Sequence, residues 1–383
     1  MGKVMEFLAK ETNGKSYNTE KYSFDMVGVP SFDYDDDPNR IMKWETRAET
    51  EIHKKPVDLT DRAKDILGNK PILTYFLDGS RHTYKVDDIS YNKQVYPVIA
   101  GQIGVGCCKR VDKLMQREAA YQRLVIALPK VANADGWGDD AFFGGKTQKL
   151  NNLPALKRFG VQFEKILCYD LPKDKRNGKL EDSGIAKIQD YMIESEKEMV
   201  AELVRKGRLN QDNYLVKDGS LEYKIMKSGR DDLRELQKIK HNYEWVIGIS
   251  KSFNPESIRD YKGKPNANYI ADLPLFHRTP VAMYENTNYM GDVKFAVWYI
   301  RIREKTRTRT PFDGVIKVEK IIVDGEYEDS EVIDLLSANL INERIPTCYG
   351  ADKRWANHLY PIYLTESYVK SLYMSTEMFL HLF

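Results

Sequence analysis

Apolar residues gather into short dense runs only after residue 70. The first 70 positions are polar and acidic, with Asp33-Tyr34-Asp35-Asp36-Asp37-Pro38 the densest cluster, which reads as a solvated loop. From Pro71 three strand-like runs follow closely: 72–80, then 82–91, where His82, Tyr84 and Val86 alternate with polar positions, then 95–106 through Val98-Ile99-Ala100 and Ile103-Gly104-Val105. Their short connections predict an antiparallel meander. The run 119–128 fits a strand or a helix, and periodicity does not decide between them. Residues 130–182 are irregular and rich in Gly, Asn and Asp, as expected of an insertion with its own short helices. From Ile185 the spacing turns helical, with Ile188, Met192, Met199 and Leu203 recurring up to Gly207. A strand at Tyr214–Lys217, a charged helix at about 230–240 and a strand at Trp245–Ser250 come next. The polar stretch 252–291 reads as a functional or partner loop. Strands return at 293–303 and 315–323, and helices at about 330–343 and 362–381.

Three antiparallel strands, an insertion, then helix, strand, helix, strand is the order of a ribonuclease H-like α/β fold, a mixed sheet flanked by helices. The expected organisation is a polar N-terminal extension over 1–70 and one core domain over 71–383, with the insertion at about 130–182. The 383 residues are 42% hydrophobic and include 24 Tyr, 14 Phe and 5 Trp, enough for a sizeable core. A formal net charge of +2 excludes polyanion binding as a bulk property and leaves it to a local patch. Cys107 and Cys108 are adjacent while Cys168 and Cys348 stand alone, which gives neither a disulfide framework nor a zinc spacing. The N-terminus lacks the apolar core of a signal peptide, and the longest uncharged run, Tyr96 to Cys108, is too short to span a bilayer. A soluble, cytoplasmic protein with no membrane association is expected.

The candidate chemistry lies in two Asp-Gly-Ser triplets, each ending an apolar run: Asp78-Gly79-Ser80 after Ile72–Leu77, and Asp218-Gly219-Ser220 after Tyr214–Lys217. An aspartate at the tip of a buried strand, followed by a glycine that frees the turn, holds a carboxylate at a sheet edge. Two of these form a hard-oxygen site for Mg²⁺ or Mn²⁺, suited to hydrolysis in which ions clamp the attacking and leaving oxygens. The bland alternative is a pair of ordinary Asp-Gly turns. Between them a helix carries Glu194, Glu198 and Glu202 on one face, at i, i+4 and i+8. One of these can complete a metal cage; an acidic solvent-facing stripe is the alternative for the rest.

At this level the chain resembles the NurA family of nucleases, whose ribonuclease H-like core is related to the Piwi domain. The ordered matches are Leu77-Asp78-Gly79-Ser80, the glutamate-bearing helix at 185–206, Val216-Lys217-Asp218-Gly219-Ser220-Leu221, Val246–Lys251, Trp298-Tyr299-Ile300-Arg301 and Tyr360-Pro361-Ile362-Tyr363-Leu364. The resemblance implies a Mn²⁺-dependent (or Mg²⁺-dependent) deoxyribonuclease with two ions. It also implies a homodimer, working with a HerA-type hexameric ATPase in DNA end resection or phage defence. By position Asp78 and Asp218 would be metal ligands and the helix glutamate would be Glu198, with Glu202 as second choice. Tyr368 stands where the family usually has His or Asp. Glu366, two residues earlier, is the substitute ligand, although a helix turns about 200° over two residues. Lys251, at a core strand end, is placed to contact the scissile phosphate. Arg301, Arg303, Lys305, Arg307 and Arg309 would share one face of an extended segment and line the DNA path.

Other signals point elsewhere. Gly144-Gly145-Lys146-Thr147 lacks the upstream glycine of a P-loop, since position 140 is Asp140. The six histidines have no ligand spacing. Two further readings stand beside the nuclease: a ribonuclease H-like DNA-binding or scaffold subunit with a degraded site, supported by Tyr368, and an enzyme using the Asp pair on a small phosphate substrate.

Overall fold

The computed structural model describes residues 2–24, 42–43, 47–134, 138–171, 179–221, 232–255, 258–260, 262, 264–285, 293–323, 325–348 and 355–383. The acidic run 33–38 lies outside them. Helix α1 (Lys3–Glu11) buries Val4, Met5 and Leu8. Strands β1 (Leu73–Tyr91), β2 (Gln94–Val111) and β3 (Leu114–Pro129) form an antiparallel meander, but its three strands are not the three runs expected. The runs 72–80 and 82–91 prove to be one strand. Asp78-Gly79-Ser80 pairs residue for residue with Gly106, Val105 and Gly104, so the first triplet makes no turn. The chain turns instead at Asn92-Lys93, both left-handed with φ of 48° and 67°, the hairpin geometry that matches strand twist. Residues 119–128 are strand, because 119–127 pair with β2 on one edge and 125–128 pair with 165–168 on the other.

The insertion contributes helix α2 (Asp139–Leu150), a short helix Pro154–Phe159, and β4 (Lys165–Tyr169), which joins the sheet parallel to β3. Helix α3 (Leu180–Arg205) then leads to β5 (Tyr214–Asp218), α4 (Asp232–Tyr243) and β6 (Val246–Ser250). The antiparallel pair β7 (Lys294–Arg301) and β8 (Val315–Ile321) follows, with β8 against β6. Helices α5 (Ser330–Asn342) and α6 (Tyr360–Ser371) close the domain. Where one helix was expected over 362–381, the chain breaks after Ser371. It restarts as α7 (Thr376–Leu380), where Ser375 Oγ accepts the Met378 N–H at 3.2 Å.

The spatial order is β7-β8-β6-β5-β1-β2-β3-β4. Within it β3-β2-β1-β5-β6, a meander flanked by two strands parallel to β1, is the ribonuclease H-like arrangement. Three cores hold the layers together. Helix α3 covers one face with Ile185, Ile188, Met199 and Leu203 against Ile99, Val105 and Leu215. Helices α5 and α6 cover the other with Leu336, Leu340 and Ile362 against Phe76, Val216 and Trp298. The far ends of β1–β3 pack on α1, α2 and α7 through Tyr84, Val98, Leu8, Phe143 and Phe379. The polar connection 252–291 also adds strand: Ala282–Glu285 pairs with β7. Residues 47–50 are anchored by a buried ion pair, Glu49 to Arg278 at 2.8 Å. Among the described residues no helix is long and apolar enough to cross a membrane.

Candidate active site

Strands β1 and β5 run parallel, with Phe76 opposite Val216 and Leu77 opposite Lys217. Phe76 and Val216 enter the core beneath α5 and α6, whereas Leu77 and Leu215 enter the one beneath α3. Period-two alternation therefore carries Asp78 and Asp218, one step further on, to the α6 face side by side. Lys251 follows β6 on the same face, because Ile249 lies opposite Asp218. Its Nζ sits 2.7 Å from Asp218 Oδ2 and 3.2 Å from Glu366 Oε2 on α6. Glu366 Oε1 in turn accepts from Lys370 Nζ at 2.7 Å. The cluster lies where β5 and β6 end while β1 continues, the crevice at strand carboxyl ends where open α/β sheets bind ligands.

Burial makes these charges matter. Asp78 is 5% exposed, and its Oδ2 is shielded from solvent with no hydrogen-bond partner among the described residues. Burial, then the neighbouring negative charge of Asp218, raises its pKa well above the carboxylate range. Burial also disfavours ionisation of Glu366, but Lys251 and Lys370 outweigh it and lower the pKa to about 2. For Lys251, burial works against the charged form, yet Asp218, Glu366 and Asp78 together raise its pKa and keep it an ammonium.

The opposite face supports the second triplet. Gly219 has φ of 90°, a left-handed conformation that only glycine adopts without strain, and its N–H donates to Ile249 O at 2.7 Å. Lys217 Nζ donates to Asp218 O at 2.9 Å and pairs with Glu196 at 3.0 Å. Ser220 Oγ and the Leu221 N–H donate to the buried Glu319 at 2.7 and 2.9 Å. The two glycines thus do different jobs. A Cβ on Gly79 would come within 2.2 Å of Glu196 Oε1, so the first glycine makes room for a carboxylate.

Glu196 is the residue the glutamate spacing missed. It is 3% exposed, and burial raises its pKa against the pull of Lys217. Its sequence signal was its place in the buried stripe, four residues after Met192 and three before Met199. The structure does not bring Glu198 to the aspartates: its carboxylate is half exposed and bonded to Arg123 at 2.5 Å. Glu202 meets Lys206 at 2.5 Å and also Tyr121. Glu194 meets Lys197 at 2.8 Å. These three form the outer face of α3, about 160–240° round the helix from Glu196. On α6, Tyr368 lies with its ring over Gly106, while Glu366 reaches Lys251 from the other flank.

The arginine row is also rearranged. Arg301 is buried and donates to the carbonyls of Leu273, Pro311, Ala271, Asp313 and Ile270 at 2.6–3.3 Å. Arg303 donates to Arg344 O. β7 ends at Arg301 and a 3₁₀ turn follows at Lys305–Arg307, so strand alternation does not hold across 301–309. Lys305 lies 3.5 Å from Asp272 and Arg309 is exposed, while the side chain of Arg307 lies outside the described set.

Among the described residues no three His, Cys, Asp or Glu side chains are gathered closely enough to hold a metal ion. The pair Asp78 and Asp218 nonetheless fits a hard divalent cation. Both are carboxylates in adjacent register, and Asp78 Oδ2 is buried without a partner. Mg²⁺-type ions are commonly held by one or two carboxylates, with water and substrate oxygens completing the shell.

Fold and site together define a ribonuclease H-like α/β protein with a buried carboxylate–lysine cluster at the strand ends. No family model matches the sequence, and none of the curated proteins matches it. Among solved structures the chain is similar to the NurA nuclease from Sulfolobus solfataricus, with 11% identity, 81% of this chain and 87% of that chain covered, and a TM-score of 0.41.

Proposed function

We propose that this chain is a metal-dependent nuclease that hydrolyses phosphodiester bonds in DNA. The supporting observation is the juxtaposition of Asp78, within β1, and Asp218, at the end of the parallel β5, with Asp78 Oδ2 unpartnered among the described residues and Lys251 alongside. The ligands in this reading are Asp78 and Asp218, with Glu366 behind Lys251; Glu196 pairs with Lys217 on the opposite face of the sheet, so no α3 glutamate joins the two aspartates. Mn²⁺ or Mg²⁺ bound there, as one ion or two, supplies a water of lowered pKa and charge stabilisation for the departing oxygen. The chain's own groups do the rest. Lys251 donates to a non-bridging phosphate oxygen, Glu366 and Lys370 hold Lys251 at the mouth of the crevice, and Lys217 with Glu319 keeps the 218–221 turn rigid. Following the resemblance of the ordered motifs, the chain works as a cytoplasmic homodimer with a HerA-type hexameric ATPase in DNA end resection or phage defence.

A second reading, a DNA-binding or scaffold subunit with a degraded site, is favoured by one observation. The centre of the cluster is held by the Lys251 ammonium and not by a third carboxylate. End-labelled single- and double-stranded DNA incubated with the purified chain in Mn²⁺, Mg²⁺ or EDTA separates the two. The nuclease reading predicts cleavage with metal and none in EDTA. Binding without cleavage under every metal, with the partner ATPase added as well, supports the degraded subunit.

A further inference from the structure

Lys251 stands within the donor set of the candidate site. It is 6% exposed, its Nζ spans Asp218 Oδ2 at 2.7 Å and Glu366 Oε2 at 3.2 Å, and the adjacent Asp78 Oδ2 has no hydrogen-bond partner among the described residues. A buried carboxylate without a counter-charge is costly, so the resident ammonium stabilises the cluster while no other cation is bound. A divalent ion on Asp78 and Asp218 would meet that ammonium at short range in a poorly screened environment, where like charges repel strongly. Both cannot keep Asp218 Oδ2.

We infer that Lys251 is the resident counter-ion of this site, that a divalent cation binds in direct competition with it, and that this lysine sets the site's metal affinity. The inference rests on the nuclease reading above, since that reading puts the cation there. On metal entry Nζ leaves Asp218 and keeps Glu366, whose second oxygen is already fixed by Lys370 at 2.7 Å. The displaced ammonium then faces the open side of the crevice, where an anionic phosphate oxygen can take it. Metal binding and presentation of Lys251 to substrate are thereby one event.

The test is Mn²⁺ binding to the full chain by calorimetry, alongside the Mn²⁺-induced rise in melting temperature. It compares wild type, Lys251→Met, Lys251→Gln and Lys370→Met, each shown to be folded by circular dichroism. Lys251→Gln retains a donor for Asp218 without the charge, and guards against failure of the Met variant to fold. The expected result is a metal-free Lys251 variant that melts below wild type yet binds Mn²⁺ at least about tenfold more tightly, with a larger metal-induced rise in melting temperature. Lys370→Met, which removes an equal charge from Glu366 at an exposed position, should move the affinity much less. Equal or weaker Mn²⁺ binding by both Lys251 variants, with binding retained by wild type, overturns the competition and leaves the nuclease reading standing. Absence of Mn²⁺ binding in every protein overturns both.

Discussion

Asp78→Asn is expected to lower DNA cleavage by about 10³-fold or more, corresponding to roughly 4 kcal/mol of lost transition-state stabilisation, while making the metal-free protein more stable above neutral pH. The two effects share one cause. The Asp78 carboxylate is buried beside Asp218 without a hydrogen bond to Oδ2, and its native pKa is raised by burial and by that neighbour. The native state therefore holds the proton more tightly than the unfolded chain, whose aspartate titrates near about 4. Unfolding releases that proton, so stability is fullest below the unfolded pKa and declines as pH rises towards the native one. Asparagine has the same shape and no charge to bury. Melting curves from pH 5 to pH 9 should show wild type losing stability relative to the variant as pH rises. Parallel curves for the two proteins would mean that Asp78 is not the strained carboxylate described here.

Arg301→Gln is expected to destabilise the fold by at least about 3 kcal/mol, because a buried guanidinium that satisfies several carbonyls cannot be shortened without orphaning them. Arg301 links the carbonyls of 270, 271 and 273 to those of 311 and 313, which ties the long connection to the loop after β7. The same geometry predicts no change in the salt dependence of DNA affinity for the folded variant, since a residue donating inward neutralises no phosphate. Urea denaturation and binding titrations at several salt concentrations check both. A stable variant with a flattened salt slope would return Arg301 to the DNA path.

How much of this was legible in the sequence follows from which neighbours each signal required. Asp78, Asp218 and Lys251 could be placed because each follows a short apolar run on one of three neighbouring parallel strands, and register then brings those positions together. The Asp-Gly turn signal misled at Asp78, where pairing with β2 keeps the strand running. At Asp218, with Gly219 left-handed, the same signal was sound. Glu196 is masked by the i, i+4, i+8 repeat of Glu194, Glu198 and Glu202 on the outer face, and its own signal is a charged residue inside an apolar stripe. Arg301 was misassigned because alternation separates inside from outside only when one face of a strand is wet. Nearly every position of β7 is buried, so its end residue could point anywhere. Glu366 is picked out through the resemblance, but its contact with Lys251 depends on the docking of α6 against the sheet, which no local pattern encodes.

The measurement that tests the central claim most directly is cleavage of end-labelled DNA by wild type and Asp218→Asn in parallel, with Mn²⁺ and with EDTA, alongside DNA binding and melting temperature. Wild type is expected to cleave only in metal, and the variant to lose cleavage with its fold and DNA binding retained. Equal metal-dependent cleavage by both proteins would contradict it, because the chemistry would then lie away from the Asp78–Asp218 pair.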